Sequence, residues 1–543
     1  MLIDKKLFPF PTIRDQQKQI IDELNKLDDT KRFIFIQAGT GVGKSALAVS
    51  ICRTLGKGFI LTTTKQLQDQ YNKDFNKLSF THIMGKGNYN CNEQGYEKLT
   101  VDNAICVFNN EYKCEAKGKN ECVYYALRGK ANNSEIFCTN YHFFFRNCSC
   151  GKWVKNRDVM IFDEAHRLED ILVDFAGFDF NPVNIINKYF NGDESLLNLY
   201  NNISPNDNDE TIFRKFSNIY EDLIVPRYES LNAEIADCVK NKEFDKATLL
   251  NAEFRELDRL YKKGEYFLTT TPDKWVMSFK EIQSKNVKGY YSHIQPLFAG
   301  DVFYRFLYNK DAPEGPKANK FVFMSATILD EKQYAQTLGL PNEECAFINF
   351  ESPFDPSLSP IYKANVVTNY NTIRTDNYAK VICEYVKRIC DRHKGQKGII
   401  HTGNQTITRI LLENFKNDNR FLFRIDDVTN DMIYEQHINS TSPTILVSSS
   451  LIEGADLYDD LSRFQIICKL PYLSLDDLRI SKLSKQQPRW YTLKMWARLI
   501  QACGRSTRSE KDSSVTYILD AAFNRELSRD TSFIPKYFKD RIK

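Results

Sequence analysis

Phe33-Ile34-Phe35-Ile36 and, after Gln37, Ala38-Gly39-Thr40-Gly41-Val42-Gly43-Lys44-Ser45 form the stretch on which the reading of this chain turns. Four consecutive apolar residues suit a buried strand, and Ala46 to Leu55 reads as a helix. Strand, glycine-rich turn and helix in that order make a P-loop. Its glycines let backbone N–H groups close around phosphate oxygens with no Cβ in the way. The helix N-terminus adds the positive end of its dipole. Lys44 would reach the β- and γ-phosphates of ATP, and the Ser45 hydroxyl would bind Mg²⁺. Ala38 stands where the general pattern has its first glycine. The alternative, a glycine-rich turn with no ligand, does not account for the flanking elements.

Val159-Met160-Ile161-Phe162 is a second apolar strand, and Asp163-Glu164-Ala165-His166 sits at its end. A carboxylate at a strand tip beside a P-loop holds Mg²⁺, here Asp163, and the next, Glu164, orients and deprotonates an attacking water. About 120 residues separate the two motifs, far more than a single crossover needs, so a segment is inserted between them. Near the C-terminus stands Gln501-Ala502-Cys503-Gly504-Arg505-Ser506-Thr507-Arg508. Read as a helix, it puts Gln501, Arg505 and Arg508 on one face. Two guanidiniums projecting together neutralise a transferring phosphoryl group, an effect worth ~10³–10⁵ in rate; alone, such a pair is also a common solvated surface. Strand-like runs at 397–400, 444–447, 464–470 and 515–519 alternate with helical patterns. They indicate a second α/β domain with a parallel sheet and no P-loop of its own. Two such domains clamping one ATP is the economical picture.

The chain has 543 residues, which at ~100–200 residues per domain means three or four domains. Apolar residues make up 42% and charged residues 27%, excluding a mostly disordered or collagen-like chain. No apolar run is long enough to span a membrane. Met1 to Phe10 does not read as a secretory signal, so a cytoplasmic location is expected. The balance of 74 basic and 70 acidic residues neither demands nor excludes a nucleic-acid partner. Half of the 14 cysteines, Cys91, Cys106, Cys114, Cys122, Cys138, Cys148 and Cys150, fall within residues 91–150. Clustered thiols in a cytoplasmic chain point to a metal or cluster site.

With these motifs in place, the chain resembles a superfamily 2 helicase of the XPD/DinG type, whose members are 5′→3′ DNA helicases with an iron–sulfur cluster. Phe10, Arg14 and Gln17 resemble the family's adenine-sensing motif. Ile60 to Gln70 resembles motif Ia, which touches the DNA backbone. Lys86-Gly87-Asn88-Tyr89-Asn90-Cys91 resembles the approach to the first cluster cysteine, and Thr139-Asn140-Tyr141-His142 the segment ahead of Asp163. Ser325-Ala326-Thr327 resembles motif III, Glu453-Gly454 with Asp456 motif V, and Gln501 to Arg508 motif VI. The resemblance implies two RecA-like parallel-sheet motor domains, the first interrupted by a cysteine-rich cluster insert and a mainly helical arch insert. The expected division is 1–87, 131–170 and 316–350 for the first motor domain, 88–130 for the cluster insert, 171–315 for the arch and 351–543 for the second motor domain.

Cys91, Cys106, Cys114 and Cys122 follow a C-x14-C-x7-C-x7-C spacing. Four thiolates are what a 4Fe–4S cluster requires. Zinc is the rival, although its usual C-x2-C pairs are missing, and a site without metal stays open. By resemblance the insert is a wedge at the duplex fork. Cys122-Val123-Tyr124-Tyr125 looks like the family's fourth ligand with its following aromatics. Cys148 and Cys150 are spare. Residues 229–261 carry an apolar i, i+3, i+4 recurrence that predicts amphipathic helices, plausibly an antiparallel pair. Thr62, Thr64, Lys65 and Gln70 are the candidate contacts to single-stranded DNA, and a forked duplex and a monomer are expected. The chain begins nine residues before Phe10, so no N-terminal nuclease domain is expected. Two other classes remain: an RNA helicase or non-unwinding translocase, and a non-motor P-loop ATPase.

Overall fold

A computed structural model of the chain describes residues 3–39, 41–107, 112–147, 153–200, 203–281, 290–311, 315–424, 429–449, 457, 459–507 and 511–543. Its strands in chain order are β1 (Phe33–Ala38), β2 (Gly58–Thr62), β3 (Phe80–His82), β4 (Ile136–Asn140), β5 (Arg157–Asp163), β6 (Phe178–Phe180), β7 (Trp275–Glu281) and β8 (Tyr290–Pro296). There follow β9 (Ala318–Ser325), β10 (Cys345–Phe350), β11 (Ile361–Val366), β12 (Gly398–His401), β13 (Phe421–Phe423), β14 (Ile445–Ser448), β15 (Phe464–Ile467) and β16 (Val515–Asp520).

The first lobe is a parallel sheet in the order β10-β1-β9-β5-β2-β4-β3. Its strands are apolar along their length because helices cover both faces. The alternation is visible in β1. Phe33 and Phe35 join the aromatic core on one face, where Phe162 stacks on Phe323 at 4.9 Å. Ile34 and Ile36 join an aliphatic core on the other face. The second lobe is a parallel sheet in the order β11-β16-β15-β12-β14-β13. The fold class expected from the sequence is the one observed.

Two segments interrupt the first lobe. The cysteine-bearing segment lies between β3 and β4. A larger one lies between β5 and β9. It contains the paired helices Val225–Lys240 and Phe244–Leu268, held by the Tyr228–Tyr261 stack at 4.2 Å and by Arg227, which bridges Glu234 and Glu253. It also holds a three-stranded antiparallel sheet, β6-β8-β7, which the reading as a mainly helical insert did not foresee. The apolar run that opens β7, Trp275-Val276-Met277, is too short to separate a strand from a buried helix turn.

Among the described residues the lobes meet through apolar packing, with Val276 and Leu297 against Leu483 and Trp490 and with Leu329 in the second lobe's core, and through a buried ionic cluster beside it. Glu169, in the first turn of the helix Leu168–Ala176, receives Arg479 at 2.8 Å, Lys494 at 2.7 Å and the Trp490 indole N–H at 3.0 Å, all from the second lobe. Arg479 also donates to the carbonyls of Pro296 and Leu297. Burial pushes the Glu169 carboxyl up, but Lys494 and Arg479 outweigh it and hold it at about 2. A carboxyl held below its ordinary 4.5 stabilises the fold above that pH, and the contribution fades as pH falls toward about 2. Glu169→Ala leaves two cations without their partner and is expected to cost about 3–5 kcal/mol near neutral pH. The stability difference between wild type and variant, read by urea unfolding, is expected to shrink as pH falls below 4.5.

Candidate nucleotide site

All strands of the first sheet run the same way, so the ends of β1, β9 and β5, which are neighbours, open on one edge. The loop after β1 carries the P-loop, β9 ends at Ser325, and β5 ends at Asp163. The loop needs its glycines. Gly41 and Gly43 have φ of +86° and +83°, a region costly for residues with a Cβ. A Cβ on Gly41 would sit 2.5 Å from the Phe354 ring, and one on Gly43 would sit 2.4 Å from Gln17 Nε2. Thr40 lies outside the described residues; Val42 is buried, and the helix Lys44–Leu55 begins at the loop's end.

Lys44 Nζ lies over the loop, donating to the Ala38 carbonyl at 3.1 Å and the Gly39 carbonyl at 3.4 Å. Its charge reaches Asp163. That carboxylate is buried, accepts the Tyr71 hydroxyl on Oδ2 at 2.9 Å and the Glu164 N–H on Oδ1 at 3.1 Å. Burial first, and then the charge of Glu164, raise its pKa to about 6, against the pull of Lys44. Glu164 sits at φ +55°, a left-handed conformation that non-glycine residues seldom adopt and that concentrates at functional sites. Its Oε2 lies 3.3 Å from His166 Nδ1, which is 3.0 Å from Ser325 Oγ.

The chain of polar contacts continues into the second lobe. Ser325 Oγ accepts the Thr327 N–H at 3.1 Å, and Gln501 Nε2 donates to Thr327 Oγ1 at 2.7 Å. Gln501 is thus set directly against the end of β9. Arg505 is not on the helix expected for it. The helix Pro488–Cys503 stops at Gly504, and Arg505 lies in the following turn, its N–H donating to the Ala502 carbonyl. Glycine ends helices readily, and Ser506 Oγ is held to Ser462 Oγ at 2.7 Å. Arg508, Gly454 and Asp456 lie outside the described residues, as do Glu453, Cys148 and Cys150.

Before the P-loop, Arg14 Nη1 donates to the Gly41 carbonyl at 2.6 Å, and Gln17 donates to that of Gly43 at 3.3 Å while accepting the Arg14 N–H. Phe10 packs on Phe75 with ring centroids 5.5 Å apart. The segment between the lobes lies over the loop as well: a Cβ on Gly39 would meet Ser352 at 2.9 Å.

The four strand-binding candidates divide. Thr64 caps the helix Lys65–Phe75, and Lys65 and Gln70 are exposed, with Lys65 bonded to Asn88 at 2.6 Å. Thr62 is fully buried and donates to the Thr64 carbonyl at 3.2 Å. It shapes the turn and presents nothing to a ligand, a correction to its reading as a contact. The end of β2 is buried on both faces, which a three-threonine run conceals.

In the cysteine segment Cys122 begins the helix Val123–Asn133 and Cys114 caps the turn Glu115–Gly118. Burial first, and then the neighbouring thiol of Cys91, push the Cys106 thiol up. Cys114 Sγ also donates to Glu93 at 3.1 Å. Among the described residues no three metal-ligating side chains close to single-ion spacing.

A cavity of about 2280 Å³ opens between this segment, the helices Tyr141–Asn147 and Leu168–Ala176, and the long helix Phe244–Leu268. Lys86, Arg146, Arg255, Arg259 and Lys263 line it. Arg255 ties the long helix to Asp102 at 3.2 Å and to Asn103 at 2.9 Å. Burial and neighbouring cations push Arg146 and Lys86 down, and Lys263 to about 8.

Residues 384–540 match the helicase C-terminal domain family, and residues 10–199 match the type III restriction enzyme res subunit family. The chain is 24% identical over 553 residues to ATP-dependent DNA helicase YoaA of Haemophilus influenzae, covering 86% of this chain and 82% of that protein. It is 22% identical to YoaA of Escherichia coli K12, with 86% and 83% covered. A solved XPD helicase superposes with a TM-score of 0.63 at 15% identity over 96% of this chain and 98% of that one. Xpd4 of S. tokodaii superposes with a TM-score of 0.55 at 14% identity, covering 97% and 99%. The chain is thus similar in sequence to proteins named as ATP-dependent DNA helicases and shares its fold with solved XPD structures. No helix among the described residues is long and apolar enough to cross a membrane.

The loop geometry makes a direct prediction. Gly41→Ala forces a Cβ into the Phe354 ring at a left-handed φ, and the conformation alone costs about 1–2 kcal/mol. Binding of a fluorescent ATP analogue is expected to weaken at least tenfold, with the melting temperature of the chain little changed.

Proposed function

We propose that this chain is an ATP-hydrolysing 5′→3′ DNA helicase that tracks along single-stranded DNA and opens forked duplexes, acting as a monomer in cytoplasmic DNA repair, replication or recombination. The observation that carries the motor reading is the polar line from Glu164 through His166, Ser325 and Thr327 to Gln501. It joins the hydrolytic strand of one lobe to the arginine-bearing turn of the other.

In this reading the P-loop amides and Lys44 hold the triphosphate. Ser45 and Asp163 would hold Mg²⁺, which supplies neutralising charge on the phosphate oxygens when bound. Glu164 orients water and takes its proton. Arg505 and Arg508 meet the charge that develops on the γ-phosphate, with Gln501 placing their segment. Arg14 and Gln17, fixed to loop carbonyls, and Phe10 beside them line the approach for the base. Gly454 and Asp456 complete the second-lobe side.

The strand would run past Thr64, Lys65 and Gln70 toward this cavity of mixed charge, where Lys86, Arg146, Arg259 and Lys263 would meet its phosphates. The four cysteines fit a 4Fe–4S cluster better than zinc. They lie in one short segment without the close C-x2-C pairs usual for zinc, and four thiolates are what a cube of iron and sulfide requires. Such a cluster would brace the segment as a wedge.

Lys44→Ala is expected to reduce DNA-stimulated ATP hydrolysis to background in a phosphate-release assay; near-normal turnover would remove the site. On 5′- and 3′-tailed duplexes, strand displacement is expected from the 5′ tail alone. Stimulation by RNA in place of DNA favours an RNA-directed motor, and hydrolysis indifferent to both favours a non-motor ATPase. Cys114→Ser is expected to reduce iron from about four per chain and to bleach the brown colour of anaerobically purified protein; stoichiometric zinc in a colourless wild type would overturn the cluster.

A further inference from the structure

Tyr71 was invisible as a functional residue in the sequence. It occupies an apolar position of an amphipathic helix, four residues before Phe75, where a core aromatic is ordinary. In the fold it is almost completely buried, yet its hydroxyl is aimed at the least apolar point of the lobe. It donates to Asp163 Oδ2 at 2.9 Å.

The donor count fixes the direction. A phenol has one proton, and here it goes to Asp163. Asp163 is held at both oxygens, by Tyr71 on Oδ2 and by the Glu164 N–H on Oδ1, so its carboxylate cannot rotate. Each oxygen keeps a free lone pair for an ion or its water.

We propose that Tyr71 is the positioning residue of the magnesium site, orienting Asp163 and pinning it to the helix Lys65–Phe75. The inference rests on the nucleotide-site reading above. It also gives that helix a second duty. Its first turn carries Thr64 and Lys65, seven and six residues before Tyr71, about 10 Å along the axis. Gln68, on the turn between, is anchored to the Ile83 carbonyl at 2.7 Å and to Asn140 at 3.3 Å. One rigid element thus spans from the proposed strand contacts to the proposed metal ligand.

The test is an equilibrium titration of the full chain with Mg²⁺ at fixed fluorescent ADP, without turnover. Tyr71→Phe keeps the ring and deletes the hydroxyl. Loss of such outer partners lowers metal affinity about 10–100-fold. The Mg²⁺ concentration for half-saturation is expected to rise at least tenfold, while binding in EDTA stays within twofold of wild type. A purely packing role predicts a wild-type Mg²⁺ curve for Tyr71→Phe, and that result would overturn the proposal. In an Asp163→Asn background, Tyr71→Phe is expected to add nothing; a further tenfold loss there would also overturn it. A wild-type chain with no Mg²⁺-dependent nucleotide binding removes the site reading and this inference together, whereas an intact wild type with an indifferent Tyr71→Phe removes the inference alone.

Discussion

The common direction of β1, β9 and β5 is the constraint from which the rest follows. Three adjacent parallel strands end on one edge, so the phosphate loop, the end of β9 and the Asp163 carboxylate share a single rim. No antiparallel arrangement of the same strands would do this, because alternate ends would face opposite edges. Both large insertions leave the order of these strands untouched. One enters between β3 and β4, at the sheet's margin. The other enters after β5, beyond the carboxylates, and the chain returns through β9 between its two partners.

The lobes are joined by contacts of two kinds. Around Glu169 the charges are buried and mutually satisfied, and separating them leaves ions in a poor solvent. Apolar packing adds to that junction, with Val276 and Leu297 against Leu483 and Trp490, and Leu329 is buried in the second lobe's core. Other contacts are polar and wetter. Arg489 reaches Asp330 at 2.6 Å from a half-exposed position, Gln333 meets Gln487 at 2.9 Å, and Lys482 pairs with Asp209 at 3.1 Å. Exposed pairs like these contribute little and exchange readily with water. The lobes are therefore held firmly where buried groups meet and loosely at these exposed pairs.

The sequence was most informative where backbone chemistry leaves few options. Glycines at 41 and 43, a lysine at the helix start and acids after an apolar strand specify the rim almost without tertiary information. It was less informative where a side chain's role depends on what lies across the fold. Tyr71 and Glu169 are ordinary helix residues until β5 and the second lobe are brought beside them. Thr62 carries the polarity of a surface residue but ends a strand buried on both faces. The helix expected through Arg505 fails at Gly504, a local signal that was available and was outweighed by the spacing of the arginines. In the antiparallel sheet of the large insert, β6 joins β8 across more than 110 positions, as Phe178 opposite Ile294 shows, which no local pattern encodes.

Glu169 stands five residues beyond Glu164, so the firm junction lies close to the end of β5. Rotation of one lobe about such a point moves nearby atoms little and distant atoms in proportion to their radius. In the proposed motor, a small angular change sufficient to admit or release a nucleotide would be amplified at the outer margins of the lobes. Step length along a bound polymer would then be a matter of lever arm, set by how far its gripping residues lie from that junction and not by how widely the cleft itself gapes.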